Sequence, residues 1–278
     1  MLDADEFECW IKASHEIFEG LEGRYDAYPL AASWTQQWLE SSIFIVQNEH
    51  LVRINNLMSD LDYDVFGIKE QEAREIDAQF KTMIEESLKI GKNENIGFAL
   101  APYLFTWNFK RFKEYFTRKH NFKLDEYFKE LGNFLKQKRR EIKYFQNKKL
   151  VKDKIERNEI ISLFNDLNGK LRDLGIHHNE PIGTIKILHA CSPYYFPLID
   201  NDIAETFKLK RRYETLKSSH YLRWMDSLKQ WLSRYDQNII EKLEEDYQRS
   251  ILKLVDQALY IMCSVNFKKR IGLKVDDR

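Results

Sequence analysis

Three of the chain's five prolines fall between Glu180 and Ala204, around one apolar helix and just before an acidic pair. Pro181 suits the first position of a helix, where its missing N–H would be unpaired in any case, and Gly183 permits close approach to that first turn. A helix start of this kind faces anions. Lys186 and His189, three residues apart, share a helical face on which an amine and an imidazole could touch one substrate. Pro193 ends the helix, and Tyr194-Tyr195-Phe196-Pro197 leads to Asp200; either Asp200 or Asn201 is placed to cap the next helix. Plainer readings stand beside these: Asp200 as a cap and nothing more, Lys186 as a solvent-facing lysine, His189 as a satisfied, partly buried histidine.

Charge points to a polyanion. The whole chain balances 44 basic against 44 acidic residues, yet residues 110–154 hold 16 Lys or Arg against 6 Asp or Glu, and residues 1–30 hold 8 acids against 2 bases. A second basic run, Lys208-Leu-Lys-Arg-Arg212, follows the proline-rich segment. Arg139 and Arg140 in the first region and Lys210, Arg211 and Arg212 in the second are the expected phosphate contacts, with Gly183 offering backbone. Trp107 and its aromatic neighbours from Tyr103 to Phe116 interleave with Lys110, Arg111 and Lys113, although at helical spacing those rings describe core faces.

The run from Glu180 to Ala204 resembles the helix-hairpin-helix DNA glycosylase superfamily, in which a tight hairpin opens a buried helix and a proline-aspartate loop meets the next helix start. The resemblance covers about 25 residues. Under it, Pro181-Ile182-Gly183 ends the hairpin, Lys186 stands for the Schiff-base lysine of bifunctional members, and Asp200 stands for the aspartate that stabilises positive charge on the sugar. It implies an all-α fold, DNA in preference to RNA, base extrusion, and either a glycosylase or lyase or an inactive relative of one.

Two other functions compete. Arg172-Asp-Leu-Gly-Ile-His177 resembles the Arg-x4-His pattern of HEPN-type ribonucleases, which would make His177 a general acid or base and Arg172 a stabiliser of phosphorane charge. A helix end followed by an exposed His177-His178 loop explains the same residues, because Gly175 intervenes. The remaining alternative is a non-catalytic helical scaffold or protein-binding module. No P-loop, dinucleotide glycine motif or HExxH is present, so no cofactor or metal is expected. Three scattered cysteines and an acidic N-terminus fit a reduced, cytoplasmic setting without membrane insertion.

The elements that must position these residues are helices, because apolar residues recur three and four apart between few glycines and prolines. Helices are expected at about 5–21, 34–61, 69–91, 97–119, 125–147, 157–174, 181–191, 201–217, 220–235 and 238–265, with Ser33 and Gln36 forming a capping box. The fold class is all-α, a multi-helix bundle. The basic run Lys148–Lys154 divides an N-terminal helical region, 1–150, from a C-terminal one, 151–278; a single continuous bundle fits equally well.

Overall fold

A computed structural model describes residues 2–59, 70–119, 121–264 and 267–268. It is 71% helical. Asp3 and Glu6 form a reciprocal capping box that starts α1 (Ala4–Leu21), and a 3-10 turn, Gly23–Tyr25, leads to α2 (Tyr28–Ser41), with Pro29 in its first turn. Then come β1 (Phe44–Val46), α3 (Asn48–Ser59), α4 (Glu70–Ser87) and β2 (Gly91–Asn93). The two short strands pair antiparallel, Phe44 opposite Asn93. The chain continues through α5 (Ile96–Trp107), α6 (Phe109–Arg118), α7 (Leu124–Gln137), α8 (Arg139–Lys143) and α9 (Arg157–Leu174). Last are α10 (Pro181–Cys191), α11 (Asn201–Thr206), α12 (Ser218–Leu232), α13 (Gln237–Tyr247) and α14 (Ile251–Cys263).

The expected helix from Trp34 to Leu61 is two helices and a strand. The chain turns at Ser42, which takes the left-handed conformation at φ 66°, and Leu61 lies outside the described residues, as do positions 69 and 265. Ser33 and Gln36 lie inside α2 and form no cap. Gln36 instead donates to the Cys191 carbonyl (2.8 Å), closing the end of α10. The expected helices 97–119, 125–147 and 238–265 break at Asn108, Lys138 and Gln248, and the one at 201–217 stops at Thr206.

Helix α5 is buried on nearly every side, packed between α2 and α7, as its almost wholly apolar sequence requires. Its crossing with α7 depends on two facing glycines. A Cβ at Gly97 would sit 1.8 Å from the Phe128 carbonyl oxygen, and one at Gly132 would sit 1.7 Å from Asn95 Oδ1. Asn95 caps α5 through the same oxygen, so the close approach and the helix start are one arrangement.

One continuous hydrophobic core runs from Phe7 to Cys263 and draws on residues from both sides of Lys148–Lys154. That segment is a turn held down by Leu150 N–H to the Tyr194 carbonyl (2.8 Å) and by ion pairs from Lys149 to Glu244 and from Lys152 to Glu241. No described helix is long and apolar enough to cross a membrane.

Gly97→Ala and Gly132→Ala should each destabilise the fold by about 1–3 kcal/mol in urea unfolding, because backbone must move to admit a methyl group. Gly169→Ala, on α9 with open space around the new Cβ, should be neutral or gain up to about 1 kcal/mol.

Candidate functional site

Pro181 opens α10 as its chemistry dictates, and the helix runs to Cys191 through an almost entirely buried sequence. Lys186 is the one lysine on it. Helix α5 ends at Trp107, leaving carbonyls without intrahelical partners, and Lys186 Nζ donates to the Trp107 carbonyl (2.7 Å) and to Asn108 Oδ1 (2.9 Å). The residue keeps partial exposure, but its ammonium is packed round by protein, and burial pushes its pKa down to about 7. Asp256 and Asp200 oppose that shift and Lys253 adds to it. Two acceptors match the two N–H bonds of a neutral amine, which leaves the lone pair uncommitted.

Asp200 caps α11, accepting from Ile203 N–H at 2.7 Å. Burial raises its pKa to about 7 against that hydrogen bond, with Asp202 and Asp256 raising it further and Lys186 lowering it. The loop before it is held carbonyl by carbonyl. His189 Nδ1 donates to the Phe196 carbonyl (2.6 Å), the Tyr221 hydroxyl to that of Pro197 (2.9 Å) and Trp224 Nε1 to that of Leu198 (3.0 Å). Two helices, α10 and α12, therefore set where Asp200 stands. His189 is 0% exposed, so it serves this loop and lies out of a substrate's reach. Burial pushes its pKa down to about 3, which keeps the imidazole neutral with its proton on Nδ1.

A second lysine completes the centre. Lys253, 3% exposed, lies within 5.1–5.8 Å of the rings of Phe18, Tyr28 and Trp107 and pairs with Asp256 at 3.2 Å. Burial raises the pKa of Asp256. Asp26 Oδ1 accepts from Trp107 Nε1 (3.3 Å), which fixes an indole whose ring centre lies 6.0 Å from Lys186 Nζ and 5.8 Å from Lys253 Nζ. Neither Lys253 nor Asp256 was among the residues expected from sequence. Their signal is two charges three apart on the largely apolar α14.

Beside the centre opens a cleft of about 1430 Å³, counting its mouth, between the α5–α6 junction, the start of α10 and the loop after α11. Ile182, one helical turn before Lys186, lines it, and so does Asn201, next to Asp200. Its walls carry Lys110, Arg111 and Lys210 against Glu114, Glu180, Glu205 and Glu214. Arg111 is engaged by Glu180 (2.8 Å) and Glu114, and burial raises the Glu180 pKa to about 7 despite Arg111.

The other expected contacts divide. Arg211 and Arg212 are exposed on the loop after α11, and Arg140 is exposed on α8. Lys210 is not at the surface: its side chain is 2% exposed and bonded to Glu205 at 2.7 Å. Arg139 donates to the Leu39 carbonyl and lies over Trp38, so it serves packing. Gly183 is buried facing Leu171 and Asn108, where it admits close packing and offers no open backbone. Arg172 and His177 are both exposed. Arg172 pairs with Asp173 (3.1 Å), and His177, at φ 60°, donates its N–H to the Arg172 carbonyl in the turn that ends α9.

Comparison with protein-family models, curated proteins and solved structures finds no match. Among the described residues, no group of three or more His, Cys, Asp or Glu side chains is arranged to hold a metal ion.

The Lys186 shift fixes the sign of a pH effect. A lysine whose pKa is lower folded than unfolded leaves the unfolded chain holding more protons between about 7 and the ordinary 10.5, so stability rises with pH across that window. The stability difference between Lys186→Met and wild type should therefore move in favour of Met as pH falls from 10 toward 7. Urea unfolding at several pH values measures it; a pH-independent difference would mean the amine titrates alike in both states.

Proposed function

We propose that this chain binds DNA and that Lys186 and Asp200 form a glycosylase-like or lyase-like centre beside the cleft, behind the lining residues Ile182 and Asn201. One observation carries the reading: a lysine poised to be neutral near pH 7 and a buried aspartate biasing each other's ionisation beside an open cleft. Support also comes from the resemblance to helix-hairpin-helix glycosylases. The α9–turn–α10 hairpin, the pinned loop and an aspartate at the next helix start follow the order which that resemblance implies.

The chemistry follows from the two groups. The Lys186 lone pair attacks C1′ of a deoxyribose as the bond from C1′ to the base, or to the hydroxyl of an abasic sugar, breaks and the leaving group takes up a proton. Asp200 as carboxylate stabilises the positive charge that develops on the sugar. The amine loses its proton, the sugar ring opens to an imine, and elimination of the 3′ phosphate can follow before water frees the lysine. Both groups must be deprotonated, so imine formation should rise between pH 6 and pH 8 and then level off.

Borohydride reduction of the protein with abasic DNA should trap a covalent adduct. Lys186→Arg, which keeps donors for Trp107 and Asn108 but supplies no neutral amine, should abolish trapping with DNA affinity retained. Asp200→Asn keeps a capping side chain and should abolish turnover with binding nearly intact, while His177→Ala should change little. Cleavage of RNA lost in His177→Ala would instead support the ribonuclease.

Affinity for DNA should fall as salt rises. Replacing Arg211 and Arg212 by alanine should reduce the slope of log affinity against log salt by roughly 2, close to one for each phosphate no longer neutralised. Equal affinity at low and high salt would remove the polyanion partner.

A further inference from the structure

The loop between α11 and α12 displays an aromatic ring where chain geometry favours a glycine. Glu214 N–H donates to the Arg211 carbonyl (3.1 Å), closing a four-residue turn, and Arg211 N–H returns a bond to the Glu214 carboxylate (3.1 Å). Tyr213 occupies the third position of that turn with φ 64°. Glycine or asparagine adopts that conformation with little strain, and a tyrosine there is disfavoured. The ring gains nothing from burial in return, since Tyr213 is 89% exposed, the most exposed large hydrophobic residue among those described.

The turn is firmly placed. Leu209 and Leu216 bury on either side of it, Lys210 bonds to Glu205, and Glu214 also pairs with Lys217 and His220. Tyr213 lines the cleft together with Trp107 and Lys110, with Arg212 lying 5.2 Å from its ring and Arg211 exposed beside it. A fixed turn thus holds a strained, solvated aromatic side chain among arginines at the entrance to the site.

We infer that Tyr213 is a stacking platform for a DNA base at the cleft mouth, with Arg211 and Arg212 holding the adjoining phosphates. The inference rests on the DNA reading above and adds which residue meets a base. Every base has a π face, so the platform is tolerant of sequence, and the fixed turn means that little freedom is lost when a base lands on it.

The test is fluorescence anisotropy with a labelled duplex carrying one tetrahydrofuran abasic analogue, titrated with the full chain across a salt series. Tyr213→Ala should bind roughly 5- to 160-fold more weakly, the range for loss of one base–aromatic stack, while Tyr213→Phe stays within about twofold of wild type. The salt slope should be unchanged in Tyr213→Ala because no charge is lost, which separates stacking from phosphate contact. Tyr213→Gly should lose affinity as alanine does and yet unfold at equal or higher urea concentration, since glycine relieves the turn. Wild-type affinity in Tyr213→Ala overturns this inference and leaves the DNA reading standing. Equal loss in Tyr213→Phe and Tyr213→Ala assigns the effect to the hydroxyl and overturns stacking; a wild-type chain that binds no DNA overturns both readings.

Discussion

The end of α5 is the constraint around which the centre is built. A buried helix cannot stop without giving its last carbonyls a donor, and at Trp107 that donor is Lys186 from α10. A cation at a helix C-terminus also meets the negative end of the helix dipole. The same burial that makes the bond necessary penalises the ammonium, which draws the amine toward neutrality. Structural need and a lowered pKa are therefore one fact about this lysine. Asp200 and Asp256 share the environment, and burial pushes each toward its own neutral form.

Charge that looks unbalanced along the chain is balanced in space. The acids of the first thirty residues meet bases from α13 and from the turn that follows it: Glu8 pairs with Lys242, Glu19 with Arg249, and Asp26 lies 4.0 Å from Arg249. Much of the basic stretch 110–154 is likewise answered from elsewhere, Lys138 by Asp166, Lys148 by Glu156, Lys149 by Glu244 and Lys152 by Glu241. Apart from the buried Asp26, these are mostly exposed or half-exposed pairs that add little stability, but they discharge the field that a linear count implies. The loop from Lys208 to Arg212 keeps Arg211 and Arg212 at the surface beside the cleft, which makes it the better place to look for phosphate contacts.

What could be read from sequence was what local chemistry dictates. Pro181 and Pro193 bound α10, and the expected helices 157–174 and 181–191 coincide with α9 and α10. The breaks at Ser42 and Gln248 were hidden because non-glycine residues adopt left-handed conformations there, a choice made by packing. The break at Asn108 was hidden because apolar periodicity runs straight through it from α5 into α6. Lys186 and Asp200 stand in one short segment, α10 and the loop that follows it, so the sequence alone sets them near each other. Lys253, Asp256 and Asp26 join them only through the tertiary fold, and the roles of His189, Tyr221 and Trp224 in holding the loop depend on carbonyls that carry no sequence signal.

Direct titration of the Lys186 amine bears most closely on this account. Reductive ¹³C-methylation of the lysines, with Lys186→Arg to assign the resonance, allows its pKa to be followed by NMR. A midpoint near 7 is the predicted result, moving further down in Asp200→Asn as an opposing negative charge is removed. A midpoint near the ordinary lysine value of about 10.5 would show an amine that stays charged at neutral pH and acts only as a cap on α5.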